Sequence, residues 1–94
     1  MEIAKIKERI EKQLALITKT ERDLWRIPEV GFKEFKTNEY MKAAFRKLGY
    51  ELTEAEGITG FYTVVDTGRP GPTVLALAEL DALYCADHPD RDKE

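Results

Sequence analysis

The side chains best suited to chemistry lie toward the end of the chain. Glu79 and Asp81 close an apolar run, Gly-Pro-Thr-Val-Leu-Ala-Leu-Ala, over 71–78. Standing two residues apart, they point to the same side wherever the chain is extended. Carboxylates fixed at the end of a buried strand can hold acid, base or ligand geometry rigidly. The plainer alternative is a strand that has reached solvent, where most Asp and Glu lie. Cys85, Asp87, His88 and Asp90 follow. His88 is the only histidine, and its spacing matches no standard zinc pattern, so a surface histidine in a loop is expected. Cys85 has no evident base or activating surroundings and is expected to be a partly buried structural cysteine. Gly68-Arg69-Pro70-Gly71 lacks the Lys-Ser/Thr of a phosphate loop and is expected as a turn. The aromatic residues stand at scattered, core-like positions and form no stacking platform.

The elements that must position these groups can be read from periodicity. From Val74 to Ala78 every side chain is apolar, the pattern of a strand buried on both faces. A short buried helix competes, but Gly71-Pro72 and β-branched Val74 favour a strand over 73–79. Ile3, Ile6, Ile10, Leu14, Ile17 and Leu24 recur as one face of an amphipathic helix over about 2–26, loosened near Thr18. Thr20 with Asp23 could instead cap a second helix. A coiled-coil seam is a further alternative, which Gln13 and Thr20 would interrupt. Pro28 ends this segment, because the residue before proline avoids helical backbone. A loop over 28–36 leads to Thr37, a good N-cap, and a helix over about 38–48 with Met41, Ala44, Phe45 and Leu48 on one face. Gly49 is its stop. Strands are expected over 50–53 and 60–66, the latter joined to 73–79 as a hairpin through the turn at 67–71. The tail, 84–94, is polar and expected to fray. The fold class is α/β: two N-terminal helices followed by a two- or three-stranded mixed or antiparallel sheet.

Composition limits the function classes. A net charge of -3, with 15 basic and 18 acidic residues, gives no electrostatic case for nucleic acid or a membrane surface as partner. A 43% hydrophobic content supports a folded domain over disorder. No apolar run approaches the ~20 residues of a membrane span, and the N-terminus lacks a signal-peptide pattern. A single cysteine rules out an internal disulfide framework. A cytoplasmic location is expected.

Whole phrases of the sequence carry a resemblance. Leu24-Trp25-Arg26-Ile27-Pro28-Glu29-Val30-Gly31-Phe32-Lys33-Glu34 resembles the "Pro-Glu-x-Gly-Phe-x-Glu" opening of the zinc-dependent amidohydrolases of the aminoacylase/carboxypeptidase peptidase family. Hippurate, auxin-conjugate and aminobenzoyl-glutamate hydrolases are among its members. Phe35-Lys36-Thr37, a helix, then Leu48-Gly49-Tyr50 continue the likeness, and Gly60 stands where the next strand begins. Ala78-Glu79-Leu80-Asp81-Ala82-Leu83 resembles the signature "Ala-Asp-Met-Asp-Ala-Leu". The order and spacing hold from about Leu14 to Pro89.

The resemblance implies part of a larger αβα metallopeptidase catalytic domain, close to its first quarter. It implies a parent enzyme that hydrolyses N-acyl amino acids or small peptides with zinc or another divalent metal pair. Asp81 would orient a metal ligand there without binding the metal itself. Glu79 stands where the family usually has Asp. The family's metal ligands and catalytic Glu come from segments beyond the match, so this chain is expected to bind no metal and to be inactive alone. Its expected contacts are self-association or the rest of the catalytic domain. A different class of function also fits the residues: a small non-catalytic interaction module that pairs with another chain through its sheet.

Overall fold

A computed structural model describes residues 2–90, which divide into two compact units, 2–27 and 28–90. The element order is helix, helix, helix, strand, strand: α1 (Ile3–Lys12), α2 (Leu14–Trp25), α3 (Phe35–Lys47), β1 (Thr53–Glu54) and β2 (Phe61–Tyr62). The α/β class expected from the sequence is therefore present, with an antiparallel sheet of two strands among the described residues. No helix in the described residues is long and apolar enough to cross a membrane.

The first unit is helical throughout, but the expected single helix over 2–26 is two. The interruption falls at Gln13, where the backbone sits at φ -99°, ψ 3° and its N–H bonds to the Ile10 carbonyl at 3.0 Å. This is one three-residue turn between two four-residue ladders. Helix resumes at once, since Ile17 N–H donates to the Gln13 carbonyl at 3.0 Å. The loosening expected near Thr18 is absent. Thr20 satisfies its hydroxyl on the Leu16 carbonyl at 2.8 Å and stays helical. Lys12–Glu8 and Lys19–Asp23 are four-apart ion pairs along the same helices, at 3.3 and 2.5 Å. The chain leaves α2 through a tight turn, Arg26 N–H to Asp23 and Ile27 N–H to Leu24, just ahead of Pro28.

In the second unit α3 begins earlier than the sequence suggests. Thr37 is its third residue and not its cap, because a more distant carboxylate, that of Glu29, takes the free amides of the first turn. Its far end follows expectation. Gly49 adopts φ 95°, its N–H bonds Arg46, and Tyr50 N–H bonds Phe45 at 3.1 Å, the paired pattern of a glycine-terminated helix. The Phe45 and Tyr50 rings meet across that turn at 5.9 Å, and Phe45 meets Phe61 edge-on at 5.3 Å. This aromatic trio joins α3 to the hairpin.

The sheet is smaller than expected. Thr53 pairs with Tyr62 and Glu54 with Phe61, so the hairpin turn is the loop 55–60, closed by Ala55 N–H on the Gly60 carbonyl at 2.9 Å. The segment 67–71 is a turn, held by Gly68 N–H on Asp66 and Arg69 N–H on Thr67, but it does not return the chain into a ladder. The run 73–79 forms no strand among the described residues, and Val74 and Leu77 are 85% and 84% exposed. Apolar side chains alone do not make a strand, which needs a neighbour for its backbone groups. The tail expected over 84–94 is exposed and turn-forming through residue 90, while 91–94 lie outside the described residues.

Candidate functional site

Among the described residues no apolar side chain is fully buried, and the most enclosed groups are polar: Glu34, Thr37, Asn38 and Lys42. They lie on α3 and its entry; Glu34, Thr37 and Asn38 bond to neighbouring loops, and Lys42 to β1. Glu29 anchors the arrangement. Its carboxylate accepts from Lys36 N–H at 3.1 Å, from Thr37 N–H at 2.6 Å and from the Thr37 hydroxyl at 2.8 Å. An acid at this end of α3 also meets the positive end of the helix dipole. Desolvation pushes the Glu29 carboxyl upward, but the Thr37 amide and hydroxyl, the Lys36 amide and the Lys36 charge outweigh it, leaving the carboxyl below its usual value.

The hairpin loop is held by two side chains of the same helix start. Asn38 Oδ1 accepts from Gly60 N–H at 3.1 Å, and Glu34 Oε2 accepts from the Thr59 hydroxyl at 2.9 Å. One turn on, Lys42 bridges Glu39 at 2.7 Å and Glu54 of β1, with Arg46 also 3.4 Å from Glu54. Hydrogen bonds to Glu39 and then Glu54 raise the Lys42 ammonium above its usual value despite desolvation. Lys42, by hydrogen bond and charge, holds the Glu54 carboxyl low.

The carboxylates singled out in the sequence stand apart from this frame. Glu79 and Asp81 are exposed. Next to Asp81, however, Ala82 N–H donates to the Glu29 carbonyl at 2.7 Å. The same residue that caps α3 with its side chain therefore holds the 78–83 signature with its backbone. Cys85 is exposed, where partial burial was expected. His88 is exposed as expected; its Nδ1 accepts from Asp90 N–H at 3.0 Å, and its own N–H bonds the Cys85 carbonyl. Among the described residues no three His, Cys, Asp or Glu side chains come together as a metal site, so these residues do not fit a metal centre by themselves. The capping role of Glu29 was not foreseen, since it lies eight residues before Thr37, far outside the usual capping-box spacing. Only its place in the Pro-Glu phrase marked it.

Known proteins are similar to this chain in sequence. The chain is 29% identical over 89 residues to thermostable carboxypeptidase 1 of Saccharolobus solfataricus, covering 94% of this chain and 23% of that protein. It is 30% identical over 94 residues to the amidohydrolase YhaA of Bacillus subtilis, covering 96% and 24%. An N-acetyldiaminopimelate deacetylase of Listeria innocua is 40% identical over 63 residues, 66% of this chain and 17% of its own length. The class these relatives define is that of the amidohydrolases and peptidases. The chain is homologous to a segment of that family, and it spans about a quarter of the length of the curated relatives it matches. No family model matches the chain, and no solved structure does.

Proposed function

We propose that the chain forms the N-terminal quarter of a cytoplasmic, metal-dependent amidohydrolase acting on N-acyl amino acids or small peptides. Its own part is to position, not to turn over substrate. The observation that carries this reading is the bond from Ala82 N–H to the Glu29 carbonyl. It joins the two phrases that resemble the family, the helix entry at 24–37 and the signature at 78–83. Glu29 fixes one end of that joint to α3 through the Thr37 and Lys36 amides. Asp81, one residue from the joint, is the group that would orient a ligand of a zinc or other divalent-metal pair, the ligands themselves coming from further chain.

The test uses a protein carrying the full family length around this segment. Asp81→Asn should lose ~10–100-fold in metal affinity or activity, as removal of an outer carboxylate typically does. His88→Ala should lose far less. Equal losses, or a larger loss at His88, would overturn the assignment. The 94-residue chain alone should not hydrolyse hippurate with or without added zinc.

A second reading, an interaction module, is favoured by one observation, the exposure of Val74, Leu75 and Leu77 together. An unpaired apolar run invites another chain, whether the rest of a catalytic domain or a second copy. Leu75→Asp with Leu77→Asp, followed by mass measurement in solution, separates the two readings. Loss of a complex in these variants supports the module, and an unchanged monomer removes it.

A further inference from the structure

We propose that the apolar stripe of α1 and α2 docks antiparallel against the same stripe of a second copy of this chain. Ile3, Ile10, Ile17 and Leu24 fall seven residues apart, with Ile6, Gln13 and Thr20 between them in the companion positions of a heptad. The heptad spacing spans both helices, with Ile3, Ile6 and Ile10 on α1, Leu14, Ile17 and Leu24 on α2, and Gln13 as the residue where the ladder breaks. Ile10 and Ile17 are 52% and 48% exposed, and Ile3, Ile6, Leu14 and Leu16 are exposed as well. At 1.5 Å per residue the stripe covers about 15 Å of α1 and about 18 Å of α2, so α1 of one copy can lie along α2 of the other.

Charge complementarity names the partner and its direction. The positions flanking the stripe are basic in α1, Lys7 and Arg9, and acidic in α2, Glu21 and Asp23. Antiparallel alignment about Ala15 brings Lys7 to Glu21 and Arg9 to Asp23 of the second copy, and symmetry repeats both pairs. The same alignment sets Leu24 against Ile6, Ile10 against Thr20, and Ile17 against Gln13. The flank between the charged ends is Leu14 and Leu16, which meet their own equivalents at the centre. A parallel alignment brings neither Lys7 to Glu21 nor Arg9 to Asp23. Asp23 already pairs with Lys19 at 2.5 Å, so Arg9 joins an existing pair. Affinity comes from the stripe, and the rim charges choose orientation, since exposed pairs contribute little by themselves.

The experiment is sedimentation equilibrium of the 94-residue chain at low salt, across about a hundredfold range of concentration bracketing the micromolar affinities of small interfaces. A monomer–dimer equilibrium is expected. Lys7→Glu with Arg9→Glu should weaken it about tenfold or more, and adding Glu21→Lys with Asp23→Lys should restore it. The four sites are exposed or rim positions, and circular dichroism confirms that the helices persist in each variant. A monomer throughout would overturn the proposal. So would a dimer indifferent to the charge exchange but abolished by Leu75→Asp with Leu77→Asp, which would assign association to the 73–79 run instead.

Discussion

Asn38→Ala tests whether polar contacts, and not an apolar core, hold the second unit together. Asn38 is 9% exposed and accepts the Gly60 N–H at 3.1 Å, the bond that seats the hairpin loop on α3. Alanine removes the acceptor and leaves a donor unpaired, which costs about 1–3 kcal/mol. At ~1.4 kcal/mol per factor of ten, the opening of the loop should become roughly 5–150-fold more frequent. Amide hydrogen exchange by NMR reads this directly at Gly60 and at Ala55, whose N–H bonds the Gly60 carbonyl. Asn38→Asp keeps an acceptor oxygen and should retain most of the protection. The Tyr50 amide, bonded to Phe45 at the other end of α3, serves as internal reference. Gly60 protection unchanged within about twofold in Asn38→Ala would refute the reasoning, because it lies below the bond energy invoked. Equal losses in Asn38→Ala and Asn38→Asp would refute it too, by showing that the acceptor is not what matters.

Phe32 occupies the left-handed region at φ 64° with its ring largely exposed, in a turn closed by Lys33 N–H on Val30; Phe32→Gly should raise the urea midpoint, by about 1 kcal/mol in stability, through relief of backbone strain. Gly49→Ala meets no atom within 4 Å but must hold φ 95°, so it should destabilise the end of α3 by about 1 kcal/mol, seen as faster exchange at the Tyr50 amide. Glu29 and Glu54 are held below the usual glutamate value. Their contributions are therefore complete above about pH 4.3 and lost as pH falls through the lower folded values, whereas that of Lys42, which is raised, is complete below about pH 10.4 and lost as pH rises through its folded value. An NMR titration should show Lys36 and Thr37 amides moving only on the acid side, and movement near neutrality would refute the assignment.

The ends of helices were unevenly legible in the sequence. Gly49 marked the end of α3 because only a residue free of a Cβ adopts that backbone cheaply. The start was misplaced at Thr37, since nothing local shows that Glu29 reaches the same amides from eight residues away. The break at Gln13 has no local signal at all, as glutamine is a good helix former with no neighbouring Gly or Pro. The strand expected over 60–66 comes down to Phe61–Tyr62, because ladder length depends on a partner that periodicity does not name. The same reason explains the run 73–79. For the candidate site, the Pro-Glu phrase and the 78–83 signature were legible as resemblances. Their union through Ala82 and Glu29 is a bond between backbone atoms, which any residue pair could make.

The polar character of the most enclosed groups also bears on how the molecule responds to temperature. Exposing apolar surface raises the heat capacity on unfolding, and exposing polar surface lowers it. A unit whose most enclosed side chains are Glu34, Thr37, Asn38 and Lys42 releases little of the first kind. Its heat-capacity increment should fall below the usual ~12–15 cal/mol/K per residue. The curve of stability against temperature is then shallow, with no sharp optimum and little tendency to unfold in the cold.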